Sequence, residues 1–366
     1  MSILFTPVRM GSVTVPNRFV RSATHDFMAD DEGCVTEAHV ELYSRLAEGE
    51  VGLIITGHAH VQPSGKASPR QMAVYDDHFV EGLMRIPAAV HHFPSLVFLQ
   101  IAHAGRQTKE KLCGSVPVSA SAVYDPASKV MPRELATEEI ETLIADFVSA
   151  GRRAKRAGFD GVQLHAAHGY LLSSFLSPHT NRRKDKWGGP VENRSRVLVE
   201  VLRGVKAVCG RDFPVIVKLN STDFLEGGLT LEDAVLVARM IEAAGIDGIE
   251  VSGGMAEAGR GSVWPGLRKE GEEGYFAANA AAVKNAVHVP VFALGGIRTL
   301  AVAERIVREG RADLVSLSRP LIRDPFLVKH FRQGLTSKSA CISCNKCFNP
   351  RGIRCAELGK REKTHG

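Results

Sequence analysis

The sequence predicts an α/β protein, a (β/α)8 TIM barrel with a short Cys-rich C-terminal tail. Three observations predict it. Short apolar runs alternate with helical stretches eight times, the pattern of parallel strands joined by crossover helices. His165, His168 and Tyr170 stand where the fourth run gives way to a helix, the rim where such barrels do their chemistry. Gly295-Gly296 and Arg319 follow the seventh and eighth runs, where barrels of this kind hold phosphate on backbone N–H groups. An open doubly wound sheet is the alternative, but its G-x-G-x-x-G fingerprint is missing after the first strand.

The elements follow in order. Strands are expected over 17–25, 53–57, 96–103 and 161–166, then over 215–220, 248–252, 291–295 and 314–318. Each is a short apolar run of the kind that is buried in a parallel sheet. Helices are expected over 36–48, 79–92, 137–157, 194–208, 231–244, 276–286 and 301–308. Thr36, Thr230 and Thr299 stand at capping positions, and Gly158, Gly210, Gly245 and Gly310 stand where helices end. Long insertions over 104–132 and 254–274 fall on the catalytic face, and loops of that length usually carry function. Residues 337–366 show no barrel period. Two units are therefore expected, a barrel over 1–336 and a tail over 337–366.

Composition narrows the function. Of 366 residues, 44% are hydrophobic and 23% charged, ordinary for a soluble globular chain. No window approaches the roughly 18 apolar residues of a membrane span, and residues 1–16 lack a signal-peptide core. No membrane partner and a cytoplasmic location are expected. The net charge is +6, and the only compact basic cluster, Arg182-Arg183-Lys184, is too sparse to argue for nucleic acid. An anionic small ligand or a solvated surface accounts for the charge equally well.

The strand ends carry the chemistry. Two imidazoles can donate N–H groups to one substrate oxygen, and a nearby phenol can supply a proton. Lys218 lies inside the apolar run Val215-Ile216-Val217-Lys218-Leu219, where a cation is costly unless it meets an anion or an electron-rich ligand. A barrel carboxylate could meet it, but no other inward charge stands nearby in sequence, so a ligand is the favoured reading. Gln100 adds an inward amide. A phosphate clamp, a buried cation, an amide and a His/His/Tyr group together suit a flavin mononucleotide beneath a substrate pocket.

Four of the seven cysteines crowd the tail, at Cys341, Cys344, Cys347 and Cys355. With no export signal, that crowding suggests metal rather than disulfides, either an iron–sulfur cluster or zinc.

The chain resembles the Old Yellow Enzyme family of FMN-dependent ene-reductases and NADH:flavin oxidoreductases. The likeness runs from Leu4 to about Phe331. It rests on Pro16-Asn17-Arg18, on Gln100-Ile101-Ala102-His103-Ala104-Gly105-Arg106-Gln107, and on His165-Ala166-Ala167-His168-Gly169-Tyr170-Leu171. It continues through Ser177-Pro178, Asn181-Arg182-Arg183, Asp185, Gly188-Gly189 and Ser318-Arg319-Pro320-Leu321-Ile322-Arg323-Asp324-Pro325.

The resemblance implies a role for each matching position. Ala23 and Thr24 would touch the flavin through their backbones, and His58 stands where a backbone amide faces the ring. Gln100 would read the ring's polar edge. Lys218 would be the cation near the pyrimidine, a position where relatives often have Arg. Gly295, Gly296, Ser318 and Arg319 would form the phosphate site. His165 and His168 would bind the substrate carbonyl, with Tyr170 as proton donor. His25 would lie at the flavin's reactive edge, as in the 2,4-dienoyl-CoA reductase branch. Glu226, Trp264 and Arg268 are further candidates for the pocket wall. The tail resembles the [4Fe–4S] segment of larger relatives, although the Cys347–Cys355 gap is shorter than theirs.

The function so implied is hydride transfer from NAD(P)H, through FMN, to the C=C bond of an α,β-unsaturated carbonyl compound, in a homo-oligomer. The alternative is a flavin/iron–sulfur electron-transfer protein serving a partner. A third reading, a metal-dependent lyase or hydrolase using His165 and His168, is disfavoured because no inward carboxylate is apparent in the sequence.

Overall fold

Eight parallel strands close into a ring. They are β1 Phe19–Arg21, β2 Leu53–Ile55, β3 Leu96–Ala102, β4 Gly161–Ala166, β5 Val215–Asn220, β6 Gly248–Ser252, β7 Val291–Ala293 and β8 Leu314–Leu317. Each pairs with the next, and β8 returns to β1, so the sheet has no free edge. The computed structural model describes residues 2–259 and 261–358. The final part of the expected tail, 359–366, lies outside them.

Two layers of apolar side chains follow from strand alternation. Val20, Leu53, Ile55, Phe98, Ile216, Phe292 and Leu314 fill the barrel interior. Met10 and Val15, from a hairpin that precedes β1, pack with them. The opposite faces pack against the helices that connect the strands. The main ones are α1 Glu37–Glu48, α2 Phe79–Val90, α3 Thr137–Arg156, α4 Arg196–Cys209, α5 Leu231–Ala243, α6 Ala277–Lys284 and α7 Leu300–Arg308. Each offers one apolar stripe to the sheet. In α3 that stripe is Ile140, Leu143, Phe147, Ala150 and Ala154. No described helix is long and apolar enough to cross a membrane.

The departures from expectation lie at the mouth. The first strand ends at Arg21 rather than residue 25, because its ladder partners stop there. Residues 22–28 leave the sheet in an irregular path that turns at Phe27, with φ 56°. Likewise the seventh strand stops at Ala293, and Gly295 (φ 122°) and Gly296 (φ 70°) carry the chain away in conformations few side chains tolerate. The helix expected over 194–208 breaks at Ser195 into Val191–Arg194 and α4. Of the three expected threonine caps, Thr230 accepts from the Asp233 N–H at 3.2 Å. Thr36 and Thr299 instead direct their hydroxyls to the Met28 carbonyl and to Glu273.

The tail runs irregularly across the barrel. Leu300 N–H donates to Ser337 O, Ser339 N–H to Arg298 O, Gly266 N–H to Ser343 O and Ile353 N–H to Asp26 O, all at 2.7–2.9 Å.

Candidate functional site

Parallel register assembles the site. Lys218 on β5 lies opposite His165 on β4 and Glu250 on β6, while Gln100 on β3 lies opposite Gln163 on β4. Paired residues on neighbouring strands point to the same face. These five polar groups therefore form one inward tier above the apolar layer.

They are joined by hydrogen bonds. Lys218 Nζ lies 3.3 Å from Glu250 Oε2 and donates to Ser22 Oγ at 2.9 Å. Gln163 Nε2 donates to the same Glu250 oxygen at 2.9 Å, which fixes the orientation of its amide, since a carboxylate only accepts. Gln163 Oε1 then receives Gln100 Nε2 at 2.7 Å. What Gln100 offers the cavity is thus its carbonyl oxygen. Glu250 Oε1 is buried without a partner, as are Ser316 Oγ and His165 Nδ1.

Glu250 corrects two expectations. Lys218 does meet a barrel carboxylate, so its burial is no evidence for a ligand by itself. The inward carboxylate thought absent is also present. It was missed because Glu250 stands 32 positions beyond Lys218 in the chain, and only the strand register brings the two together.

Above this tier opens a cavity of about 440 Å³, within the usual range for a small-molecule site. Ala23, Thr24, His25, His58, Gln100, His165, His168, Tyr170, Lys218, Gly295, Gly296, Ser318 and Arg319 all line it. Gln107, Ser252, Tyr275 and the tail's Phe348 line it too, and the sequence reading did not name them as site residues. Ser252 and Gln107 were detectable as polar residues at or just beyond strand ends. Phe348 had no such signal. Glu226, Trp264 and Arg268 are not among the lining residues. Trp264 stacks instead on Tyr275, with ring centroids 4.2 Å apart.

The histidine–tyrosine group is closely packed. The rings of His165 and His168 lie 5.3 Å apart, and those of His165 and Tyr170 4.7 Å apart. His168 adopts φ 63°, an uncommon conformation for a non-glycine residue and one that tends to occur at functional sites. Two contacts hold it. Its N–H donates to Asn220 Oδ1 at 3.0 Å, and its carbonyl accepts from Gln107 Nε2 at 2.6 Å. Ser252 Oγ engages His168 Nε2 at 2.7 Å.

Burial keeps these imidazoles neutral. It pushes His168 down to about 3, with Lys218 adding to the effect, and His25 down to about 4 against the opposing pull of Asp26. His165 and His58 fall well below the ordinary range, again chiefly through burial. Tyr170 moves the opposite way, its phenol raised by burial well above the usual value. The wall therefore presents neutral N–H and O–H groups near pH 7.

On the far side, Arg319 Nη1 donates to Trp264 O at 2.9 Å, Asn345 Oδ1 at 2.5 Å and Ser343 O at 3.4 Å. These are neutral acceptors, so they do not cancel its charge. A Cβ added at Gly295 would come within 2.9 Å of the Tyr275 and Phe276 backbone nitrogens.

The tail cysteines were expected to hold a cluster or zinc. Among the described residues, no group of three or more His, Cys, Asp or Glu side chains is placed to hold a metal ion. Cys341, Cys344, Cys347 and Cys355 form no disulfide. They do share a neighbourhood. The Cys347 thiol is pushed up to about 11 by burial, and then by Cys341, Cys355 and Cys344.

The chain is similar to several known proteins. The sequence profile of the NADH:flavin oxidoreductase / NADH oxidase family matches residues 3–338. An NADH oxidase of Thermoanaerobacter brockii is 39% identical over 361 residues, covering 96% of this chain and 55% of that protein. The chain thus spans about half the length of that relative. A solved 2-naphthoyl-CoA reductase in complex with 2-naphthoyl-CoA superposes with a TM-score of 0.88 at 32% identity, over 94% of this chain and 54% of that one. The old yellow enzyme homologue from Zymomonas mobilis superposes with a TM-score of 0.82 at 28% identity, over 97% of both chains.

Proposed function

This chain belongs to the NADH:flavin oxidoreductase / NADH oxidase family. On that premise we propose that it is an FMN enzyme that takes hydride from NAD(P)H and reduces the C=C bond of an enone, enoate or enoyl thioester. The observation that carries this reading is that one cavity holds both halves of the chemistry. Tyr170, His165 and His168 share its wall with Lys218, Gln100, Gly295, Gly296 and Arg319.

The donor set fits FMN. The glycine pair exposes backbone where a Cβ would collide, and Arg319 adds an uncancelled cation, a combination that suits a phosphate. Lys218 and the Gln100 carbonyl suit the pyrimidine edge of the flavin. Ala23, Thr24, His25, His58 and Ser318 complete the wall of the flavin's site. Bound there, FMN supplies hydride transfer between NAD(P)H and an acceptor.

The remaining steps fall to this chain. His165 and His168, held neutral, donate N–H bonds to the substrate carbonyl oxygen and stabilise the negative charge that develops there, as an oxyanion hole does. Tyr170 gives its proton to the α-carbon. The complex of a structural neighbour with an aroyl thioester supports a conjugated carbonyl as the substrate class.

The test is an absorption spectrum of anaerobically purified protein, recorded after NADH and then after 2-cyclohexen-1-one. A flavin spectrum should bleach with the first and return with the second. Return only on admitting oxygen would overturn the alkene assignment, and a colourless protein would overturn the flavin itself. Size-exclusion chromatography with light scattering tests the homo-oligomer proposed with it.

A second reading, a flavin/iron–sulfur electron-transfer protein, is favoured by the shared neighbourhood of the four tail sulfurs and by Phe348 standing between tail and cavity. Four thiolates are a suitable donor set for a [4Fe–4S] cluster or zinc. Their side chains do not converge as they stand, so no electron path is drawn through them. Iron, zinc and acid-labile sulfide content of the purified protein tests this reading.

A further inference from the structure

His58 does more than line the cavity. Its ring meets Tyr170 edge-on, with centroids 5.4 Å apart at 82°, and its Nε2 lies 3.5 Å from the Tyr170 hydroxyl. That separation is at the long limit of a hydrogen bond, which is common for catalytic contacts in the absence of substrate.

The tautomer of His58 can be deduced. Ala67 N–H donates to Gln71 Oε1 at 2.6 Å, which fixes the orientation of that buried amide. Gln71 Nε2 therefore faces His58 and donates to its Nδ1 at 2.7 Å and to its carbonyl at 3.2 Å. A nitrogen that accepts carries no proton, and a neutral imidazole has only one. The proton of His58 is on Nε2, directed at Tyr170.

We propose that His58 is the positioning residue for Tyr170: its Nε2–H donates to the phenolic oxygen, turns the phenol's own proton toward the substrate, and stabilises the phenolate left behind. The inference rests on the reading of Tyr170 as proton donor. The balance is simple. The Tyr170 O–H bond breaks, a C–H bond forms at the α-carbon, and the electron pair stays on the phenolic oxygen. His58 keeps its Nε2–H throughout, and water reprotonates Tyr170 when product leaves.

The need for such a donor is physical. A phenolate in a buried site loses its hydration, and a hydrogen bond to the charged form is what offsets that loss. Burial, and then the groups around it, keep His58 neutral and therefore committed to this geometry. His25 stacks on it at 4.8 Å, and His60 and Lys218 also disfavour its protonation, against the pull of Asp26. His165 also packs on Tyr170, its ring 4.7 Å from the phenol and 6.3 Å from that of His58. Gln71 and Ala67 belong to a loop that also supplies Ser68 to the His25 ring, so a single segment beyond β2 orients both histidines.

The experiment replaces Tyr170 with 3,5-difluorotyrosine in the full chain and follows its ¹⁹F signal against pH in three backgrounds, with His58 retained, His58→Leu and His58→Gln. Loss of the donor in His58→Leu should raise the phenol's pKa by about one unit, a tenfold shift. His58→Gln, which restores an N–H, should recover much of it. In parallel, with FMN saturating, His58→Leu should slow alkene reduction about tenfold more in the native background than in Tyr170→Phe. An unmoved phenol, or an equal loss in the Tyr170→Phe background, overturns the proposal. A moved phenol in a protein that reduces no alkene supports the hydrogen bond and removes the alkene assignment instead.

Discussion

Lys218 Nζ and Glu250 Oε2 lie 3.3 Å apart, with side chains 4% and 0% exposed. Burial alone would neutralise both. Instead the field of Lys218, with Gln163 donating to the carboxylate, holds Glu250 below its ordinary range. Removing one partner of such a pair leaves an uncompensated buried charge, which costs about 3–5 kcal/mol. Lys218→Met should therefore lose about that much stability, and the double variant Lys218→Met/Glu250→Leu should recover most of it. Chemical denaturation of the flavin-free protein measures both. A Lys218→Met loss under about 1 kcal/mol would mean that the pair does not hold the two charges as described.

The proposed roles separate in Tyr170→Phe. The substitution removes only the hydroxyl and leaves the ring packed against His58 and His165. Loss of a general acid typically costs 10²–10⁴-fold. Turnover of an enone should fall by about that factor, while bleaching of the flavin by NADH persists. Stopped-flow absorbance resolves the two half-reactions. Intact alkene turnover would remove Tyr170 from the mechanism.

Gly295 has φ 122°, and a Cβ there would press on the backbone nitrogens of Tyr275 and Phe276 at 2.9 Å. Neither neighbour can swing away as a side-chain tip could. Gly295→Ala is expected to cost about 1–3 kcal/mol of strain, relieved by opening the cradle. FMN affinity, measured by fluorescence quenching on titration into flavin-free protein, should drop at least tenfold. Unchanged affinity would place the phosphate elsewhere.

The fold was legible because strand runs and helix stripes are local signals, and so were the residues that end each strand. Thirteen of the sixteen non-cysteine residues singled out for the site line a single cavity, all but Glu226, Trp264 and Arg268, since in a barrel every strand's C-terminal end faces the same mouth. Glu250 was not legible, because its significance lies in register: only its pairing opposite Lys218 makes it an inward counter-charge. Nor was the pairing of His58 with Tyr170, which depends on a loop amide, Gln71, fixing which nitrogen carries a proton. The tail's spacing suggests a ligand set, and its thiols share a neighbourhood, although no group of three or more His, Cys, Asp or Glu placed for a metal is found among the described residues.

The titrating groups divide into two pH windows. His25 and His168 have folded-state values near 4 and 3, below the roughly 6.5 of an unfolded chain. As pH falls below about 6.5, the unfolded chain takes up protons that the folded site refuses. Stability is therefore lost on acidification from about 6.5 down to about 4 for His25 and about 3 for His168, by at most about 1.4 kcal/mol per pH unit for each histidine. Asp26 acts lower. Burial would raise its carboxyl, but His39 at 3.3 Å, then His25 and the Tyr43 hydroxyl, hold it below the usual range. Its contribution is complete above about 3.9 and is lost as pH falls below that. Denaturation midpoints of the flavin-free protein between pH 7.5 and 3 should thus fall from about 6.5 and steepen below about 3.9. His168→Asn should reduce the slope between pH 6.5 and 4.5, and Asp26→Asn only the added loss below about 3.9. If His168→Asn leaves the slope between pH 6.5 and 4.5 unchanged, the imidazole is already free to protonate in the folded state, and the neutral carbonyl-binding wall proposed for the site is wrong.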